Sequence, residues 1–265
     1  MSLDEVHYWP LTKVGEHIRA GDVSPVEVAE AMLQRIGRFD GKLKSYTTVT
    51  ADLARAQARQ AEAEIRQGRC RGPLHGVPIA VKDLCVTKAI ETTGGMPIHA
   101  DFKPDHDATV VTRRAEAGAV LLGKLHMTEG AGLEHHPDLP EPANPWKDDL
   151  WTGVSSSGSG VATAAGLTYG AIGSDTGGSI RLPSACNALT GVKPTCGRIS
   201  RYGIFDLAPT FDHLGPMTRS AADSAAMLGF SRATIPTTRR RCRARFPITS
   251  RHWRALTARV AFVWG

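Results

Sequence analysis

Two clusters of small residues hold most of this chain's capacity for chemistry. The first is Gly153-Val-Ser155-Ser156-Ser157-Gly-Ser-Gly160, and the second is Gly173-Ser-Asp175-Thr176-Gly177-Gly178-Ser179-Ile-Arg181. Successive glycines ahead of a serine let backbone N–H groups converge on one point, the arrangement that holds a developing oxyanion. A serine hydroxyl is a weak nucleophile until a neighbouring base takes its proton. Lys82 is the best base on offer, because it closes the apolar run Val77-Pro-Ile-Ala-Val81. Burial at such a strand end lowers a lysine pKa and lets the neutral amine accept a proton. The plainer explanation of these segments is a flexible Gly/Ser linker. Against it, the first cluster runs straight into Val161–Gly166, a small-residue stretch suited to a tightly packed helix, and Ile-Arg-Leu-Pro-Ser-Ala follows the second.

Other constellations fit less well. Ser157-Gly-Ser-Gly160 matches a nucleophile elbow only loosely and lacks the strand before it. His135-His136 is an adjacent loop pair with no third ligand at a supporting spacing, so it reads as surface or structural rather than as a metal site. Gly118-Ala-Val-Leu-Leu-Gly123-Lys124-Leu125 mimics a phosphate-binding loop, but its interior is strand-like and Leu125 replaces the hydroxyl residue that would hold magnesium. Gly158-x-Gly160 lacks the third glycine and the acidic ribose ligand of a dinucleotide site.

The elements that must position these residues read as follows. Ser24-Pro25-Val-Glu27 forms a capping box with proline at the first helical position, and Val28, Met32, Leu33 and Ile36 recur at helical spacing over 24–36. An alanine-rich helix is predicted over 50–67 and another over 107–117. Val77–Lys82 and Ala119–Leu122 read as buried strands. Pro78 places the first of these at a sheet edge or itself at the strand's first position. Residues 134–150 form a loop. Helices interleaved with short apolar strands predict an α/β fold with a largely buried sheet.

The chain's 265 residues, 42% hydrophobic content and 27 glycines suit a globular α/β protein. Five scattered cysteines (70, 85, 186, 196, 242) form no C-x-x-C pair, which argues against a disulfide framework or zinc site and for a reducing compartment. The N-terminus carries no basic or apolar signal region, and no stretch reaches the roughly 18 uninterrupted apolar residues of a membrane span. A soluble cytoplasmic protein is expected. The net charge of +6 suggests a nucleic-acid partner, but nine arginines and no acid fall in residues 231–265. Without them, residues 1–230 hold 23 Lys+Arg against 26 Asp+Glu. The body is mildly acidic, and no nucleic-acid partner is expected.

Taken in order, Gly76-Val-Pro-Ile-Ala-Val-Lys82-Asp83, Ser155-Ser-Ser-Gly-Ser159 and Gly173-Ser-Asp-Thr-Gly-Gly-Ser179-Ile-Arg181 resemble the amidase signature. Gly191-Val-Lys-Pro-Thr-Cys-Gly-Arg198 and Asp212-His-Leu-Gly-Pro-Met-Thr-Arg219 match it too, and the resemblance covers roughly residues 5–230. It implies a mixed, largely buried β-sheet flanked by helices on both faces, here incomplete. It also implies that Ser179 is the nucleophile, Ser155 the bridging serine on a cis peptide, and Lys82 the base. Thr176, Gly177 and Gly178 would supply oxyanion N–H groups, while Asp175 and Arg181 brace the loop. Many members carry glycine where this chain has Val154 and Ser157, so choosing Ser155 over Ser156 rests on register. The implied activity is hydrolysis of a small carboxamide through an acyl-enzyme, without cofactor or metal. Glutamine hydrolysis in the manner of a tRNA amidotransferase's glutamine-cleaving component and an inactive truncated fragment are the alternatives. A homodimer is open to the full-length form.

Residues 1–230 thus read as the N-terminal portion of an amidase-signature domain, and 231–265 as an arginine-rich tail outside the family pattern. GC-rich coding DNA read in a shifted frame yields Arg, Ala, Pro, Thr and Ser while acidic residues vanish, and the tail has this composition. Translating the coding DNA downstream of Gly229 in the other two frames is expected to reveal a family-like continuation. Finding none in either frame would refute the shifted-frame origin.

Overall fold

Ser24 shows how local sequence sets the first elements. In the computed structural model, which describes residues 5–230, its hydroxyl accepts from the Val26 and Glu27 N–H groups at 3.0 and 3.4 Å. Glu27 returns a bond to the Ser24 N–H at 3.4 Å, completing the capping box, a cap stabilising by about 1 kcal/mol. Helix α1 (Leu11–Ala20) precedes this cap and α2 (Pro25–Leu43) follows it, burying Val28, Ala29, Met32, Leu33 and Ile36. Each such large apolar side chain contributes roughly 1.5–3 kcal/mol on full burial. Strand β1 (Tyr46–Val49) and helix α3 (Ala51–Arg66) come next. The arginine-rich segment and its proposed frame lie outside the described residues.

Five further strands and four helices complete the described chain: β2 (Pro78–Lys82), α4 (Thr109–Glu116), β3 (Val120–Leu125), α5 (Ser157–Ala164), β4 (Gly170–Asp175), α6 (Arg181–Cys186), β5 (Thr190–Gly191), β6 (His213–Thr218) and α7 (Ala221–Phe230). The strands form one mixed sheet in the order β1-β3-β2-β4-β6-β5. Its centre, β3-β2-β4, is parallel, and the outer pairings are antiparallel. Every residue of β2, β3 and β4 is buried. Because neighbouring residues of a strand point to opposite faces, both faces of this centre are covered. The fold is therefore the expected mixed α/β sheet flanked by helices.

Pro78 resolves its two options by taking the first position of a central strand, where its missing N–H removes no ladder bond. The segment that mimicked a phosphate loop contains β3. No helix among the described residues is long and apolar enough to cross a membrane.

Three parallel strands end at the same edge of the sheet, and an open α/β sheet presents its ligand site outside such carboxyl ends. Lys82 ends β2 and Asp175 ends β4. Helix α5 approaches this edge closely because of Gly158. A Cβ there would lie 2.5 Å from the Ser45 carbonyl oxygen and 2.7 Å from the His126 backbone N and O. Backbone atoms on both sides cannot yield as a flexible side chain would. Gly158→Ala is expected to destabilise the fold by about 1–3 kcal/mol, read from the urea midpoint. A change inside about 0.5 kcal/mol would show that the helix has room to retreat.

Candidate active site

Lys82 is fully buried, yet among the described residues no carboxylate lies within ion-pair distance of it. Its Nζ donates to Ser155 Oγ at 2.6 Å and to Ser174 Oγ at 2.8 Å. Loss of hydration pushes its pKa from 10.5 down to about 7, against smaller opposing effects of Cys85, Asp175 and Asp212. Lys124, equally buried on β3, shows the contrast. Its Nζ lies 3.0 Å from Asp83 Oδ1 and donates to Thr92 Oγ1 at 2.7 Å. One buried lysine has a carboxylate partner; the other is held by hydroxyls alone. Cys85 is also buried, and the loss of hydration pushes its thiol up to about 12, so it stays protonated at neutral pH.

The three consecutive serines find three different partners. The Val154–Ser155 peptide is cis, and the Ser155 hydroxyl meets Lys82. Ser156 Oγ donates to the Ser174 carbonyl at 3.2 Å and accepts from the Ser174 N–H at 3.3 Å, which ties it to β4. Ser157 Oγ and His135 Nε2 share a hydrogen bond of 3.1 Å. Spacing alone left Ser155 and Ser156 equivalent; here the hydroxyl facing the lysine belongs to Ser155.

The second cluster turns from β4 into α6 and meets the first where the Ser156 N–H donates to the Ser179 carbonyl at 3.2 Å. Ser179 is half-buried, and its hydroxyl has no hydrogen-bond partner among the described residues. The N–H groups of Thr176, Gly177, Gly178 and Ser179 are likewise uncommitted among the described residues. Gly178 adopts φ +150° and a Cβ there would crowd Leu182, so glycine fits this turn. Asp175, at the base of the turn, accepts from the Ile180 N–H at 3.2 Å and from Arg181 Nε at 3.0 Å. Lys193 Nζ lies 3.0 Å from its other oxygen. Burial alone would raise this carboxyl, but the bonds from Arg181, Lys193 and Ile180 outweigh it and hold it at about 2.

The structure thus brings Lys82 and Ser155 into direct contact and joins Ser156 to Ser179 through the backbone. Thr176, Gly177 and Gly178 lie on the turn before Ser179, and Asp175 with Arg181 spans that turn. Four groups escaped the sequence reading: Ser174, the Asp83–Lys124 pair, Lys193 and Asp212. Ser174 lay inside the quoted motif, but only strand order reveals that β4 faces the lysine of β2. His135 proves structural in the sense expected, bonded to Ser157 and held below its ordinary pKa by burial. Among the described residues no group of three or more His, Cys, Asp or Glu could hold a metal ion.

Known proteins share this arrangement of elements. The profile of the family described as Amidase matches residues 27–248. The putative amidase AmiD of Mycobacterium tuberculosis (strain ATCC 25618 / H37Rv) is 55% identical over 225 residues, which is 85% of this chain and 47% of that protein. The GatA-type component of a glutamyl-tRNA(Gln) amidotransferase from Anaeromyxobacter sp. (strain K) is 46% identical over 220 residues, 82% of this chain and 45% of its own. The structure of native peptide amidase from Stenotrophomonas maltophilia superposes with a TM-score of 0.83 at 35% identity, covering 89% of this chain and 51% of that one. The chain spans about half the length of the curated relatives it matches. With its sheet, its motifs and its match over most of the sequence in agreement, the chain belongs to the amidase family.

Proposed function

We propose that this site hydrolyses the C–N bond of a carboxamide by acyl transfer, with Ser179 as nucleophile, Ser155 as bridge and Lys82 as base. The observation that carries the reading is the buried Lys82 amine, near pKa 7, placed 2.6 Å from Ser155 Oγ. A lysine with that value is largely neutral just above pH 7 and able to accept a proton. In the proposed step the Ser179 proton passes to Ser155 as the Ser155 proton passes to Lys82. The Ser179 oxygen adds to the amide carbonyl. The negative oxygen so formed is held by N–H groups from Thr176 to Ser179, a class of interaction whose loss costs about 10²–10³ in rate. Collapse breaks the C–N bond, the relay returns its proton to the departing amine, and an ester to Ser179 remains. Water attacks that ester by the same route, releasing the acid and restoring the serine.

A second reading has its own support, because relatives at 46% identity are named as components of an amidotransferase. In that case the amide is the side chain of glutamine and the ammonia goes to another acceptor. Glutamine turnover that appears only with a partner protein would favour it, and turnover of simple amides by the chain alone would favour the first.

Labelling of the purified chain with a fluorophosphonate tests the nucleophile and the base together. The labelling rate should rise with pH through about 7, fall at least ~100-fold in Lys82→Ala and vanish in Ser179→Ala. Label retained in Ser179→Ala would refute the nucleophile, and a pH-independent rate would refute the base. A chain that takes no label at all would favour the inactive fragment.

Stability offers a test that needs no turnover. The ordinary value of Lys82 is 10.5 and its folded value about 7. Between these limits the unfolded chain holds a proton that the folded chain has released, so this residue's contribution rises with pH across that window. Lys82→Met removes the contribution. The unfolding free energy of wild type minus variant should therefore shift in favour of wild type by more than about 1 kcal/mol as pH rises through the window. A difference that stays flat in urea titrations would mean that the amine is charged in the fold.

A further inference from the structure

The turn from Thr176 to Ser179 contains two adjacent glycines, and such a segment loses more conformational freedom on ordering than any other pair would. Preorganised N–H donors stabilise an oxyanion because they need no reorientation when charge develops. Something outside the turn must therefore hold it. Gly177 gives no help of its own, since a Cβ there would meet nothing within 4 Å.

Thr176 is where that hold is applied. Its hydroxyl donates to Asp212 Oδ1, and its carbonyl accepts from Lys193 Nζ at 2.8 Å. Both partners come from the stretch around β5 and β6, far along the chain from β4. Asp212 is buried, and its second oxygen accepts from the Leu207 and Ala208 N–H groups at 2.9 and 3.0 Å. Lys193 also reaches Asp175, so one ammonium spans the last residue of β4 and the first of the turn. Of the three polar groups of Thr176, only the N–H is left uncommitted. A peptide unit is planar, with its C=O and N–H pointing in opposite directions. Fixing the Thr176 carbonyl on Lys193 therefore aims the Gly177 N–H away from Lys193.

We propose that Asp212 and Lys193 are positioning residues for the candidate oxyanion turn, holding Thr176 by its hydroxyl and its carbonyl so that the N–H groups of 176–179 are prearranged. The proposal rests on the amide-hydrolysis reading above, and it gives a role to the two downstream motifs, Gly191–Arg198 and Asp212–Arg219, which that chemistry left unused.

Two variants separate the clamp from simple electrostatics. The charged neighbours that raise the Lys82 value are Cys85, Asp175 and Asp212. Asp212→Asn removes one of them, so the pH midpoint of fluorophosphonate labelling should move down as the plateau rate falls. Thr176→Val removes only the hydroxyl tether; its plateau rate should fall at least ~10-fold with the midpoint unmoved, and Thr176→Ser should restore the rate. Wild-type labelling together with an unaltered Thr176→Val plateau would overturn the clamp and leave the chemistry standing. A second measurement does not depend on activity. Backbone amide signals of Gly177, Gly178 and Ser179 should broaden or lose exchange protection in Thr176→Val and recover in Thr176→Ser. If wild type takes no label, the amide-hydrolysis reading fails, and these signals alone decide whether Thr176 is tethered: unchanged signals overturn the clamp.

Discussion

A buried amine without a carboxylate is the constraint on which the site depends. Charging Lys82 inside the sheet is costly, because water is gone and only two hydroxyls, from Ser155 and Ser174, replace it. The fold supports this arrangement by placing the lysine at the carboxyl end of a central parallel strand with both faces covered. Lys124 shows what the same neighbourhood does when it supplies an anion. Asp83 directly follows Lys82 in sequence, yet it faces Lys124 rather than its neighbour. Alternation along an extended chain sends successive side chains apart, so one step in sequence separates the paired lysine from the unpaired one.

Around that amine the polar groups are divided with little redundancy. Ser155 meets the lysine, Ser156 binds the β4 backbone and Ser157 binds His135. Helix α5 can bring these serines in only because Gly158 lets its first turn lie against the backbone of Ser45 and His126. The glycine-rich turn before Ser179 has the opposite problem, too much freedom, and its order comes from Asp175, Arg181, Lys193 and Asp212.

Much of this could be read in advance where the cause was local. The capping box at Ser24 and Glu27, the apolar spacing of α2 and the alanine-rich α3 all appeared within a residue or two of their predicted starts, because capping and periodicity act over one or two turns. The α2 end did not: the helix runs on to Leu43, past the predicted 36, since its later turns include polar residues with no apolar period. Pro78 left two options because a proline constrains its own strand position without saying which strands lie beside it.

Lys82, the serine run and the Gly-Gly-Ser turn could be picked out as a chemical set from residue types, spacing and family resemblance. Those properties belong to short segments, and they needed no knowledge of the sheet. Which hydroxyl meets the lysine, that Ser174 is the second one, that Asp83 turns to Lys124 and that Thr176 is held from β5 and β6 were decided only by tertiary structure. Each depends on the β3-β2-β4-β6 strand order and on a helix packed to backbone contact. Distances between segments separated by tens of residues are set by that packing, and no local pattern encodes them.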